Sequence, residues 1–179
     1  DINELGLLKV DFLGLTTLTI MAKACEYIKE RGGPDLQLSS IPIDDPDVYK
    51  YISEGNTAGL FQLEGSGMTR YLVEMQPKTI HHVIAMVALY RPGPMDIIPD
   101  YIANMHGKKP VKYLHPKLES ILDETYGHTV YQEQIMQAVM SLAGYTPGES
   151  DNFRSAISKK KVKEVKKHHK KFLAGAEAN

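Results

Sequence analysis

The sequence predicts a mainly α protein of α+β type, a helical body with a few short strands, and three observations carry that prediction. Apolar residues recur at helical spacing through most of the 179 residues, and glycine or proline breakers separate one such stretch from the next. A few short segments, among them Lys9-Val10-Asp11-Phe12-Leu13-Gly14-Leu15 and Thr129-Val130-Tyr131, read as extended. The chain is 42% hydrophobic, which suffices for a core, and it shows no internal repeat.

The first element is the stretch 9–15. Side chains of a strand alternate faces, so Lys9, Asp11 and Leu13 would share one face and Val10 and Phe12 the other. An ammonium beside a carboxylate suits a metal-bound triphosphate, because the carboxylate can hold Mg2+ and the ammonium can neutralise a phosphate oxygen. The plainer reading is an edge strand with one exposed ion pair, worth little.

A helix follows from Thr16 or Thr17, either of which could cap it, to about Arg31, where Gly32-Gly33-Pro34 stops it. Leu18, Met21, Ala22, Cys25 and Ile28 form its apolar stripe. In Asp44-Asp45-Pro46-Asp47 the acids precede a short helix, Val48 to Ile52, and read as caps rather than a metal cluster. The glycine-rich run 59–68 lacks the Gly-Lys-Ser/Thr ending of a phosphate-binding P-loop. It reads instead as a tight strand-to-helix entry, with Ser66 capping a helix that turns Met68, Tyr71, Leu72 and Met75 inward.

A helix from about Thr79 to Leu89 ends at Arg91-Pro92-Gly93-Pro94, which leaves Arg91 at a helix end, placed either to reach a phosphate or to cap carbonyls. Short helices are expected from Asp96 to His106 and from Leu118 to Leu122, with a loop between Pro110 and Pro116. The segment from Gln134 to Leu142 is amphipathic through Ile135, Val139 and Leu142 and ends at Gly144. Two helices, about Ser150 to Ser158 and Val162 to Ala174, close the sequence.

Composition narrows the function. No run approaches the roughly 18 apolar residues of a membrane span. The single cysteine, Cys25, excludes an internal disulfide and reads as a small core residue; with no signal-peptide pattern, a reducing cytoplasm is expected. The seven histidines form no ligand set, which argues against structural zinc. Charge is segregated. Between residues 154 and 171, nine basic residues face one acid, Glu164, although the whole chain carries a net charge of -1. Such a basic end suits a polyanionic partner, or is simply a solvated helix face. The chain starts with Asp1 and ends without a clear helix cap, and it reads as a piece of something larger.

Six segments in register carry a resemblance: 6–15, 61–68, Tyr90-Arg91-Pro92-Gly93-Pro94, 126–136 with its Tyr131-Gln132-Glu133-Gln134, Ser141-Leu142-Ala143-Gly144-Tyr145, and Ser158-Lys159-Lys160-Lys161. Together they closely resemble the C-family bacterial replicative polymerases, the DNA polymerase III alpha subunits, over essentially the whole sequence. The resemblance implies that residues 1–14 are the end of the palm, with its one strand, and that 15–179 are the amino-terminal part of a helical fingers domain. Asp11 then matches the third palm carboxylate, a ligand of Mg2+ together with two aspartates of an upstream Asp-x-Asp motif that this sequence lacks. Lys9 matches a palm lysine that contacts the incoming triphosphate. In the fingers, the resemblance implies an Arg-Arg pair gripping nucleotide phosphates ahead of a triple lysine. Here the pair reads Arg154-Ser155, so Lys159, Lys160 and Lys161 would share the task; Arg91 and Lys163 are candidate DNA or phosphate contacts.

The implied activity is DNA-directed DNA polymerisation, adding dNTPs to a primer in chromosomal replication. The implied partners are primer-template DNA, dNTP, the remainder of the polymerase chain, and a sliding clamp with other replisome subunits reached through regions outside this sequence; no membrane is involved. One carboxylate cannot assemble a two-metal site, so the piece alone is expected to be inactive. The alternative, from a different class, is a non-catalytic helical module that binds nucleic acid through its basic C-terminal helix.

Overall fold

The computed structural model describes residue 2 and residues 5–179; Asp1, Asn3 and Glu4 of the expected palm segment lie outside the described residues. The chain divides into two compact units, 1–43 and 44–179.

The first unit carries one helix, α1 (Thr16–Glu30), and a 3-10 turn, Leu38–Ser40. Residues 7–15 form no strand, which corrects the expected palm strand. The physical reason is that a strand exists through the hydrogen-bond ladder of a neighbour, and no strand occurs among the described residues. Leu15 occupies the N-cap of α1 with no side-chain bond, so neither threonine caps it: Thr16 is already the first helical residue. At the other end, Gly32 takes φ +78° and the Gly33 N–H reaches the Ile28 carbonyl at 2.9 Å. This is the six-to-one closure of a Schellman turn, at the glycines where the sequence stops the helix. The apolar stripe forms but is not buried: Leu18 is 56% and Met21 39% exposed, and Cys25 is half-buried rather than a core residue.

In the second unit, α2 (Pro46–Ser53) starts at Asp45, whose carboxylate accepts from the Asp47 N–H at 2.9 Å, the capping role the sequence assigns. Next come α3 (Ser66–Met75), α4 (Ile80–Leu89), a 3-10 turn at Pro94–Ile97 and α5 (Ile98–Met105). Ser66 does not cap α3; Gly65 holds the N-cap and Ser66 is inside the helix. The first core gathers Ile52, Leu63, Met68, Leu72, Met75, Ala85, Met86, Leu89, Ile98, Tyr101 and Ile102. Gly67 leaves room for Tyr90, whose hydroxyl would have to shift to admit a Cβ there.

The chain continues through a 3-10 turn (Pro116–Leu118), α6 (Glu119–Leu122), a second turn (Asp123–Thr125), α7 (Gln132–Ala143), α8 (Pro147–Ser158) and α9 (Val162–Ala178). The last three helices pack on one another around Val139, Ala143 and Tyr145, with Met140, Phe153 and Phe172 against them. Gly175 lets α9 approach α7, since a Cβ there would overlap the Ala143 carbonyl oxygen. The expected end at Ala174 therefore gives way to a helix that runs on to Ala178, with Gly175 serving as a contact rather than a stop.

Candidate nucleotide and nucleic-acid interface

The sequence Thr146-Pro147-Gly148-Glu149 sets where α8 begins. Pro147 fits the first helical turn, which has no use for its missing N–H. The Glu149 N–H donates to Thr146 Oγ1 at 3.4 Å, and the Thr146 N–H donates to Glu149 Oε2 at 3.0 Å, a reciprocal capping box. The other oxygen, Glu149 Oε1, accepts from the Lys171 ammonium of α9. The Lys171 hydrogen bond and the Thr146 N–H together hold the Glu149 carboxyl at about 2. Lys171 also lies 5.1 Å from the centre of the Tyr145 ring.

Arg154 lies two turns into α8. Its Nε and Nη2 donate to Asp151 Oδ1 at 2.9 and 2.7 Å, and its Nη1 donates to Gln132 Oε1 of α7 at 3.2 Å. With 31% of the side chain exposed, the guanidinium is fixed in one plane yet open to solvent. Lys159 follows at the end of α8, Lys160 takes a left-handed backbone at φ +52°, and Lys161 pairs with Glu164 at 3.1 Å; all three are exposed.

On α9, Lys163, Lys166, Lys167 and Lys170 are exposed and fall at i, i+3, i+4 and i+7, one stripe of a helix. Val165, His168 and Phe172 lie on the opposite side and are half-buried. The Tyr145 hydroxyl donates to the His168 carbonyl at 3.1 Å, which anchors that side.

The loop preceding α7 is organised from inside by Gln134. Its Oε1 accepts the Val130 and Tyr131 N–H groups at 2.8 and 3.0 Å, and its Nε2 donates to the Ile121 carbonyl at 3.1 Å and to Thr125 Oγ1 at 2.8 Å. Thr125 in turn donates to the His128 carbonyl at 2.6 Å. Tyr126, in the left-handed region at φ +53°, meets His82 Nε2 at 2.8 Å. His82 Nδ1 accepts the Lys78 N–H at 3.1 Å, so its proton sits on Nε2 and donates to the Tyr126 hydroxyl. Burial, then His81, Lys78 and His106, lower the His82 pKa below its ordinary value.

Arg91 is exposed, and among the described residues its guanidinium makes no hydrogen bond or ion pair, so the carbonyl-capping alternative is not seen. In the first unit, Lys9 Nζ lies 3.4 Å from Asp11 Oδ1, with both side chains mostly exposed. The two are neighbours, as the alternation predicted, without a strand beneath them. Among the described residues no group of three or more His, Cys, Asp or Glu side chains could hold a metal ion. Asp11 alone therefore does not make a Mg2+ site, and no step through the metal follows from these residues.

The family model for the bacterial DNA polymerase III alpha subunit finger domain matches residues 17–179. The chain belongs to that finger-domain family. It is 49% identical over 178 residues to the DNA polymerase III subunit alpha of Aquifex aeolicus (strain VF5), covering 98% of this chain and 15% of the relative. To the same subunit of Thermus aquaticus it is 48% identical over 180 residues, again 98% of this chain and 15% of the relative. To that of Staphylococcus aureus (strain COL) it is 41% identical over 179 residues, 100% of this chain and 17% of the relative. The finger-domain chain thus spans about 15% of the length of the curated relatives it matches. No helix among its described residues is long and apolar enough to cross a membrane.

The resemblance singles out Arg154 and the lysines as candidates, but not the groups that hold Arg154. Thr146-x-x-Glu149 is legible as a capping box in hindsight, since Thr and Glu three apart ahead of a helix are its signature. Asp151 is legible by the same local rule, as the i,i+3 partner of Arg154 on one helix, whereas the bonds of Gln132 to Arg154 and of Gln134 to Thr125 leave no such signal, because they span 22 and nine residues.

Proposed function

We propose that this chain is part of a cytoplasmic DNA-directed DNA polymerase of bacterial replication, in which residues 15–179 form the amino-terminal part of the fingers and residues 1–14 the end of the palm. The family match over 17–179 carries the proposal. In the complete polymerase, a primer 3'-hydroxyl attacks the α-phosphorus of a dNTP and pyrophosphate leaves. Arg154 supplies a fixed pair of N–H donors to the triphosphate, and Lys9, Lys159, Lys160 and Lys161 supply point charges beside it. Arg91 and Lys163 contact DNA or nucleotide phosphates. Asp11 contributes one carboxylate to a Mg2+ set completed by two aspartates from elsewhere in the polymerase; that ion, when bound, neutralises phosphate charge. The chain on its own has no polymerase activity. Template DNA, dNTP, the rest of the polymerase, a sliding clamp and other replisome subunits are its proposed partners.

The decisive experiment is primer extension by the complete polymerase carrying Asp11→Asn, a nearly isosteric change that removes the charge. Loss on the order of a thousandfold or more with DNA binding kept supports Asp11 as a metal ligand. Near-normal extension removes the palm assignment. The exposed lysine stripe of α9 also favours a second reading, a nucleic-acid-binding module without chemistry. Arg154→Ala separates the two: weakened dNTP use with DNA binding intact fits the polymerase, and equal loss of both fits the plain binding module.

A further inference from the structure

We propose that Gln132 is a positioning residue for Arg154, holding the guanidinium plane at the angle from which it receives the triphosphate. The inference rests on the reading of Arg154 as a phosphate contact and adds what aims it.

Arg154 has five N–H donors. Asp151, one turn earlier on α8, takes two of them through a single carboxylate oxygen, from Nε and Nη2. One carboxylate oxygen on that edge lets the group pivot about it. Gln132 adds a second fixed point by accepting from Nη1 at 3.2 Å, 22 residues away on α7. Three donors are then used, and one N–H on each terminal nitrogen remains. These remain free to donate to phosphate oxygens. Gln132 is also the right kind of acceptor: an amide carbonyl is neutral, so it orients the guanidinium without cancelling charge meant for the nucleotide.

Gln132 is in turn held in place. It is the first residue of α7, and the two backbone N–H groups just before it are both bonded to Gln134, whose amide is tied to the fully buried Thr125. This gives a role to the first Gln of Tyr131-Gln132-Glu133-Gln134, one of the segments that carry the resemblance. Where the resemblance calls for two arginines, this chain has Arg154-Ser155, so one guanidinium does the gripping and its angle matters more.

The test uses the complete polymerase with Gln132→Ala and Gln132→Met, alone and combined with Arg154→Ala. Met keeps the volume and loses the acceptor. Expected for both single variants is a rise in KM for dNTP of about tenfold, with kcat and DNA affinity within about twofold of the parent, the size of one charge-assisted hydrogen bond. In the Arg154→Ala background the same changes should add less than about twofold, because Gln132 acts only through the guanidinium. Gln132 is exposed at a helix start, so folding should be unaffected, and an unchanged melting temperature checks it. Three results overturn the inference: a KM that does not move in either single variant while Arg154→Ala raises it, a KM that moves for Ala but not for Met, or an undiminished effect without Arg154. If Arg154→Ala itself leaves KM unchanged, the phosphate role of Arg154 falls first and the inference with it.

Discussion

Gln134 Nε2 donates to Thr125 Oγ1 at 2.8 Å, joining two buried polar side chains nine residues apart. Gln134 makes three further bonds to backbone groups of residues 121, 130 and 131, so its removal strands several donors and acceptors in one place. Gln134→Leu should cost about 2 to 4 kcal/mol in chemical denaturation, well above the typical point substitution. Gln132→Leu, two residues earlier and exposed, should cost under about 0.5 kcal/mol.

His82 makes stability depend on pH. Its ring is neutral in the fold, and its pKa lies below the ordinary 6.5, mainly through burial. His128 is shifted the same way, again by burial. The unfolded chain therefore binds protons that the folded chain refuses. The contribution is fully present above about pH 6.5 and is lost as pH falls through the lower folded values. Denaturation midpoints should decline from pH 7 towards pH 5, and His82→Gln should flatten that decline. An unchanged slope in the variant would mean that His82 is not a source of it.

Gly175→Ala should reverse the usual sign. Replacing a helical glycine by alanine ordinarily stabilises by about 1 kcal/mol. Here the new methyl overlaps the Ala143 carbonyl oxygen and sits 3.2 Å from the Ala143 Cβ. Backbone cannot yield as a flexible side chain can, and overpacking of this kind costs about 1 to 3 kcal/mol. Thermal melting should show net destabilisation, with faster amide exchange in α9.

The lysines of the basic segment divide into two groups. Lys163, Lys166, Lys167 and Lys170 are exposed and make no ion pair among the described residues, whereas Lys171 is bonded to Glu149. Each lysine of the first group that meets a phosphate adds about -0.9 to the slope of log affinity against log salt on duplex DNA. Substituting Lys166 or Lys167 with Ala should shrink the slope by about 1. Lys171→Ala should leave the slope nearly unchanged and lower the melting temperature instead.

Helices were legible because their information is local. Asp45 announces the start of α2, Gly32-Gly33 announces the end of α1, and the inward residues Met68, Leu72 and Met75 follow helical spacing. Legibility ends where the deciding partner lies far along the chain or does not occur among the described residues. The stretch 9–15 has a strand's alternation and, among the described residues, no strand to pair with, and the stripe of α1 forms with no residue buried. The capping hydroxyls expected at Thr16 or Thr17 and at Ser66 lie one or two positions past the true N-caps, Leu15 and Gly65. Thr16 and Ser66 fall inside their helices, too late to act as caps. The candidate site divides in the same way: Arg154 is singled out only by the resemblance to the polymerase family, while nothing local marks Gln132, whose bond to Arg154 spans 22 residues.

The carboxylate of Glu149 starts one helix with one oxygen and tethers the next with the other. Arg154 and the lysine stripe accordingly ride on a common hinge pin, and a change that neutralises residue 149 would slacken both. A substitution at residue 149 thus reaches the setting of Arg154 and that of the lysine stripe together; independence has to come from a residue bonded within one helix alone, such as Asp151 on α8.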